Sequence, residues 1–288
     1  EIFAGKGLHF IEVPEIFSPI KGIYNNYKSN DIIKNLVNSV DFVIARLPGI
    51  YSSKAVKLSK KYKKPYLIEL VGCPWDALWN HSVKGKILAP LWTLSTKQLV
   101  KNAPFVIYVT NEFLQNRYPT KGKSTNCSNV TLPPLDVNIL EKRKRKISGI
   151  DKRHKIVIGT AAAVDVRYKG QKYVIEALGR LKKQGFSNFE YQLVGGGDPR
   201  YLQSIAEKNG VSEQVKILGA LKHSDVFRWL DEIDVYAQPS RQEGLPRALI
   251  EAMSRGLPAI GATSLESRWS PKPKLPMGNP EVVFPTAL

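Results

Sequence analysis

The feature that most constrains this chain is an alternation. Short β-branched, apolar runs follow one another, each separated from the next by an amphipathic stretch. In the second half, residues 155–159, 191–194, 215–218 and 233–237 read as strands. Residues 171–183, 201–209, 224–230 and 246–255 read as the helices between and after them. The first of these helices sets Val174, Ile175, Leu178 and Leu181 on one face, and Gly210 closes the second. The first half keeps the same rhythm, with strands at 41–47, 65–71 and 104–110 and helices at 53–62 and 84–101. Strands spaced by helices favour parallel sheets with helices on both faces. The expected class is therefore α/β, built as two doubly wound domains. Ligands of such sheets gather at the carboxyl ends of the strands, so the loop residues just after strands carry most weight.

A chain of 288 residues suits two domains of ordinary size, each able to bury a core without staples. With 43% hydrophobic and 24% charged residues, it is neither a disordered chain, a collagen nor a disulfide scaffold. No apolar run approaches the roughly 18 residues needed to span a bilayer. The two cysteines, Cys73 and Cys127, lie far apart without a partner motif, which favours a reducing, cytoplasmic compartment. There the acceptor tripeptides at Asn126 and Asn129 carry no meaning. The chain starts with Glu1 and shows no signal-peptide pattern; it reads as a fragment or processed piece.

The 43 basic against 25 acidic residues leave a net charge of +18, which calls for an anionic partner. The densest run is Lys142 to Lys146, followed by Lys152, Arg153 and Lys155. It reads first as a solvated interdomain linker and second as a contact with an anionic membrane surface. Nucleic acid is disfavoured, because aromatic residues are not interleaved with the cations. The boundary falls in this stretch, giving domains at 1–148 and 149–263. Residues 264–288, rich in Pro and Lys, follow neither period and read as an irregular tail.

The strongest chemical signal runs from Pro239 to Met253. It leaves a strand and opens a helix. Pro246 suits the first helical position, and Gly244 lets backbone approach a ligand. The amides and dipole of the helix start favour an anion. Glu243 precedes that terminus, and Glu251 lies about a turn and a half inside. Carboxylates beside a phosphate site make sense as acceptors for neighbouring sugar hydroxyls. Two of them could hold the two sugars of a nucleotide-sugar, one at each end of a diphosphate.

Together the segment resembles the Glu-x7-Glu signature of retaining GT-B glycosyltransferases of family four, also called group 1. The resemblance extends from Tyr168-Lys169-Gly170-Gln171, through Val194 to Gly197 and Val215 to Gly219, to Gly256-Leu257-Pro258. In the first half, residues 69–76 and 108–119 resemble the acceptor domain of bacterial polysaccharide-type members. The resemblance implies two Rossmann-like domains and transfer of a hexose or similar sugar. The donor would be a nucleoside-diphosphate sugar, and the acceptor a glycan or lipid-linked molecule in surface polysaccharide or capsule assembly. No metal or other cofactor is expected, and no cluster has zinc spacing. Glu251 would bind the ribose hydroxyls and Glu243 those of the transferred sugar. Backbone amides near Gly244 and Leu245 would approach sugar or phosphate, with Ser240 in the same loop. Lys169 matches the lysine that meets the diphosphate. The usual arginine five residues earlier is Val164 here, and Arg167 is the nearest substitute. Gly196 and Gly197 fall where the family has a glycine-rich turn.

On the acceptor side, Asp76 and His81 follow the strand ending near Val71, and Arg46 ends another. His81 could act as a proton shuttle, and Arg46 could meet an anionic acceptor. His9, His154 and His223 show no constellation. Residues 1–40 contain no clear version of the family's opening strand and glycine-rich loop. The usual Gly-Gly turn beyond Pro258 is not found either, so the chain reads as lacking pieces at both ends. The rival readings are a catalytically impaired nucleotide-sugar binder, a sugar-nucleotide epimerase of the same fold and a basic nucleic-acid-binding protein.

Overall fold

The computed structural model describes residues 7–14, 22–79, 83–134, 136–151, 153–241, 243, 245–262 and 281–283. It divides into two compact units. One comprises residues up to Trp75 together with Ile87–Cys127, and the other Asp76–Lys86 with Ser128 onward. Among the described residues, no helix is long and apolar enough to cross a membrane.

Up to Asn126 the elements run α1 (Gly22–Ser39), β1 (Val43–Leu47), α2 (Ile50–Lys61), β2 (Tyr66–Leu70), α3 (Pro74–Trp79), α4 (Val83–Lys101), β3 (Phe105–Tyr108), α5 (Phe113–Arg117) and β4 (Lys123–Asn126). The four strands pair in parallel in the order β1-β2-β3-β4. Leu47, Ile68, Leu70, Val106 and Tyr108 are buried from β1, β2 and β3, with Val56 of α2 and Val100 of α4. β4 has no apolar residue and is exposed throughout; backbone pairing to β3 alone makes it a strand.

The second unit continues with α6 (Ile139–Ser148), β5 (Ile156–Ala161), a 3-10 turn (Arg167–Lys169), α7 (Gln171–Lys183), β6 (Phe189–Val194) and α8 (Arg200–Lys208). Then come β7 (Val215–Gly219), α9 (His223–Glu232), β8 (Val235–Gln238), α10 (Arg247–Ser254), β9 (Ala259–Gly261) and β10 (Glu281–Val283). The sheet order is β10-β9-β8-β5-β6-β7, parallel except for β10 against β9. Two cores form. Ile175, Leu178, Tyr191, Leu193 and Leu202 pack in one, from α7, β6 and α8. Trp229, Leu230, Tyr236 and Ala252 pack in the other, from α9, β8 and α10. Helices therefore cover both faces, and the fold is the doubly wound α/β arrangement expected. Chain order reverses between β5 and β8: the chain leaves β5 toward β6 on one side and returns to β8 on the other. The loops after β5 and β8 diverge there, leaving a crevice at their carboxyl ends.

Two expectations give way. The basic run at 142–146 is not a solvated linker but part of α6, and the second unit begins ahead of it, not at residue 149. Arg143 is buried and donates through Nη1 to Ile233 O (2.7 Å) and through Nη2 to Leu230 O (2.9 Å). Lys146 Nζ donates to the carbonyls of Asp231, Glu232 and Ile233. These carbonyls at the end of α9 lack helical partners, and the helix dipole makes that end negative. The cations are consumed there. In the tail, Glu281–Val283 is a strand rather than coil, set antiparallel on β9; residues 263–280 and 284–288 lie outside the described residues.

Candidate active site

The crevice between β5 and β8 is built by loops that bind to each other. Arg241 N–H from the β8 loop donates to Tyr168 O of the 3-10 turn (2.9 Å). Gly170, at φ +77°, faces the Pro239 carbonyl so closely that a Cβ there would collide with it; only glycine meets both demands. Gln171, buried at the start of α7, donates to Ala163 O (3.0 Å). Lys169 is thereby delivered from the β5 side to Glu243 on the β8 side.

Lys169 Nζ donates to both carboxylate oxygens of Glu243, at 2.9 and 3.1 Å. Gln238, the last residue of β8, donates through Nε2 to Glu243 Oε1 (2.7 Å) and to Ser240 Oγ (2.9 Å). Behind it, Tyr236 Oη donates to Gln238 Oε1 (3.1 Å) and receives the Ala161 N–H (3.4 Å). Burial raises the pKa of the Tyr236 hydroxyl. The Ala161 hydrogen bond opposes that shift, and the negative charges of Glu243 and Glu251 reinforce it. Both carboxylates thus act on one buried hydroxyl. Glu251, on α10, pairs through Oε1 with His223 Nε2 at 3.1 Å. The Glu243 and Glu251 side chains are only 10% and 13% exposed. They are sheltered acceptors in a polar crevice, not solvated surface charges.

The structure joins Lys169, Glu243 and Ser240 in one hydrogen-bonded network through Gln238, while Glu251 stands on α10 against His223 and meets that network only through its charge at the Tyr236 hydroxyl. Leu245 is buried before α10, which begins at Arg247 with Pro246 at its cap, one residue later than expected. Gly196 O receives the Val164 N–H (3.0 Å) in the turn after β6. A side chain at Gly197 would run into the Asp165 carboxylate. Val164, where the family has arginine, is buried in a core with Ile175 and Leu178. Arg167 shares the 3-10 turn with Lys169, but its guanidinium lies 4.7 Å from the centre of the Tyr201 ring and is outside the Lys169–Glu243 network. Gly244 and His81 lie outside the described residues. Arg46 pairs across to Glu69 on β2 (3.7 Å); it is a cross-strand ion-pair partner rather than a free cation at a strand end. Asp76 sits half-buried in the first turn of α3.

Sequence reasoning missed Gln238, Tyr236 and His223. Position held the signal for two of them: Gln238 ends β8, and His223 opens α9 just beyond β7. His154, also read as isolated, pairs with Asp234 (3.0 Å). Among the described residues, no three His, Cys, Asp or Glu side chains cluster as metal ligands.

Fold and site together define a GT-B-type α/β protein with a sheltered polar crevice at the switch point of its second sheet. Residues 141–265 match the family described as glycosyl transferases group 1. The chain is 32% identical over 263 residues to protein CapJ of Staphylococcus aureus, a match covering 90% of this chain and 64% of that one. It is 37% identical over 101 residues to the amylovoran biosynthesis glycosyltransferase AmsK of Erwinia amylovora, over 33% of this chain and 25% of that one. The chain thus spans just under two thirds of the first relative and about a quarter of the second. Among solved structures, Anabaena HepE in complex with UDP shares the fold, with a TM-score of 0.58 and 16% identity over 87% of this chain and 66% of that one.

Proposed function

We propose that this chain is a retaining glycosyltransferase of surface polysaccharide or capsule assembly. It would move a hexose-type sugar from a nucleoside-diphosphate sugar to a glycan or lipid-linked acceptor, at the cytoplasmic face of a membrane and without a metal. The observation that carries the reading is the crevice in which Lys169 meets Glu243 while a second sheltered carboxylate, Glu251, stands on the helix that follows. A lone pair of opposite charges is common in proteins. A lysine and two sheltered carboxylates at a switch point match a ligand that is anionic in the middle and rich in hydroxyls at both ends.

In this reading Glu251 accepts the ribose hydroxyls and Glu243 those of the transferred sugar. Lys169 turns toward the diphosphate. As the anomeric carbon–oxygen bond breaks, the acceptor hydroxyl bonds on the same face and its proton passes to the departing diphosphate oxygen, while Lys169 offsets the charge growing on that leaving group. Ser240 and the amides before α10 complete the cradle. Arg167 joins only by leaving Tyr201. The similarity to AmsK, named for amylovoran biosynthesis, supports a polysaccharide role, and the UDP held by HepE makes UDP the first nucleotide to try.

The test is thermal unfolding with UDP, GDP, ADP, CDP and dTDP, without metal. Ligand at about 100 times its dissociation constant adds about 2.7 kcal/mol, a shift of roughly 5–10 °C. One nucleotide should give that shift, and Glu251→Ala should abolish it. If no nucleotide shifts wild type, or if Glu251→Ala keeps the shift, the assignment fails.

A further inference from the structure

Glu251 is held by a residue from another element. Helix α9 leaves the carboxyl end of β7 and packs beside α10, with Trp229 and Leu230 in one core with Ala252. Its first residue, His223, thereby reaches the Glu251 carboxylate, and Nε2 lies 3.1 Å from Oε1. A carboxylate has no proton to give, so the imidazole carries its proton on Nε2 and donates. The same ring meets the Phe227 ring edge to face at 5.1 Å, one turn further along α9. Two contacts thus fix an imidazole that is otherwise exposed. The second oxygen of Glu251, Oε2, accepts no hydrogen bond from any described residue. The sheltered carboxylate has one oxygen engaged and one available.

We propose that His223 is a positioning residue for the nucleotide's ribose: by holding Oε1 it aims the rest of the Glu251 carboxylate at the 2′- and 3′-hydroxyls, and so makes the chain select ribonucleotides over 2′-deoxyribonucleotides. The proposal rests on the reading of Glu251 as the ribose acceptor and adds what orients it. The terminal torsion of a glutamate is broad, so an unheld carboxylate turns freely. Two neighbouring hydroxyls need two lone pairs in fixed directions at once. Fixing one oxygen beforehand removes that freedom before the ligand arrives, which is preorganisation. A carboxylate set for two hydroxyls is left short of a donor when one is missing, and the deoxy analogue is rejected accordingly. Lys169, Gln238 and Ser240 make no hydrogen bond to His223, so the effect belongs to the ribose end of the site.

The experiment is titration calorimetry of the full chain with UDP, GDP, ADP and CDP, each beside its 2′-deoxy counterpart. Wild type should bind one ribonucleotide about ten-fold or more tighter than its deoxy form. His223→Phe keeps an aromatic ring against Phe227 and removes the donor. It should weaken the ribonucleotide about ten-fold and the deoxy form about two-fold or less, so the preference shrinks about five-fold or more. His223→Gln places an amide N–H where Nε2 stood and should restore most of the preference. Both variants change an exposed side chain and should keep the wild-type thermal transition. A wild type that binds ribose and deoxy forms equally overturns the proposal and leaves the transferase reading standing. So does a His223→Phe variant that keeps the full preference or loses both forms alike. A His223→Gln variant that behaves like His223→Phe also overturns it, because the donated hydrogen bond is then not the cause. A wild type that binds none of the nucleotides defeats the reading of the crevice, and the proposal with it.

Discussion

Lys169 and Glu243 satisfy each other, and each depends on the other to be tolerable where it is. At 23% and 10% exposure of their side chains, neither is fully hydrated, and the carboxylate is the more sheltered. Lys169→Met would remove the ammonium that meets both oxygens of that carboxylate and leave its Gln238 hydrogen bond, costing about 2 kcal/mol after discounting for partial exposure. Glu243→Gln leaves a more exposed ammonium that can turn to water, costing about 1 kcal/mol. The double variant should be more stable than the sum of the two losses implies, by about 1 kcal/mol. Urea midpoints of the four proteins measure this directly. Strict additivity would mean that the pair is not coupled in solution.

At the scale of elements, α6 and α9 depend on contacts some 90 positions apart in sequence. Arg143→Met removes the donors to Leu230 O and Arg255 O and one of the two to Ile233 O, which keeps Lys146 Nζ. The loss should be about 3 kcal/mol, a fall in Tm of roughly 6–12 °C by calorimetry. Asp234 ties β5 to the same corner: its carboxylate accepts from Val157 N–H (2.9 Å) and pairs with Lys146 and His154, each at 3.0 Å. Burial alone would raise its pKa, but the hydrogen bonds from Val157, His154 and Lys146 outweigh burial and hold it below the ordinary value. A depressed carboxylate contributes stability above its unfolded pKa, near 3.9, and loses it as pH falls through the folded value. Asp234→Asn should therefore be less stable at neutral pH. It should also lose less further stability on acidification below about pH 4, as followed by urea unfolding across that range. These contacts explain what the sequence concealed. α7 was legible almost to the residue, because Val174, Ile175 and Leu178 repeat with the helical period over a core they also fill. α6 was not, because its register is set by cations reaching the distant end of α9. β4 was invisible for a similar reason: its residues are polar, and only the neighbouring strand makes it extended. Lys169 and Glu243 could be singled out because a strand-to-helix loop exposes its chemistry in sequence, and Glu251 because it follows that loop on α10. The Tyr236–Gln238 support beneath them was not, since a buried polar residue at a strand end looks like any other.

At the scale of the whole molecule, the chain carries two sheets with separate cores, and the crevice belongs to one of them. Lys169, His223, Glu243 and Glu251 all fall within the unit made of Asp76–Lys86 and Ser128 onward. Domains with their own cores commonly unfold as separate cooperative units, so one transition need not describe this chain. A ligand that binds one unit adds its linkage energy to that unit alone, about 2.7 kcal/mol at 100 times its dissociation constant. Scanning calorimetry should then resolve two transitions, with nucleotide raising one by roughly 5–10 °C and leaving the other in place. Arg143→Met should lower the same transition that nucleotide raises, because α6 packs in the unit that holds the site. If nucleotide instead moves both transitions together, binding stabilises more of the chain than the crevice residues themselves. The assignment of the nucleotide to the second unit alone would then fail.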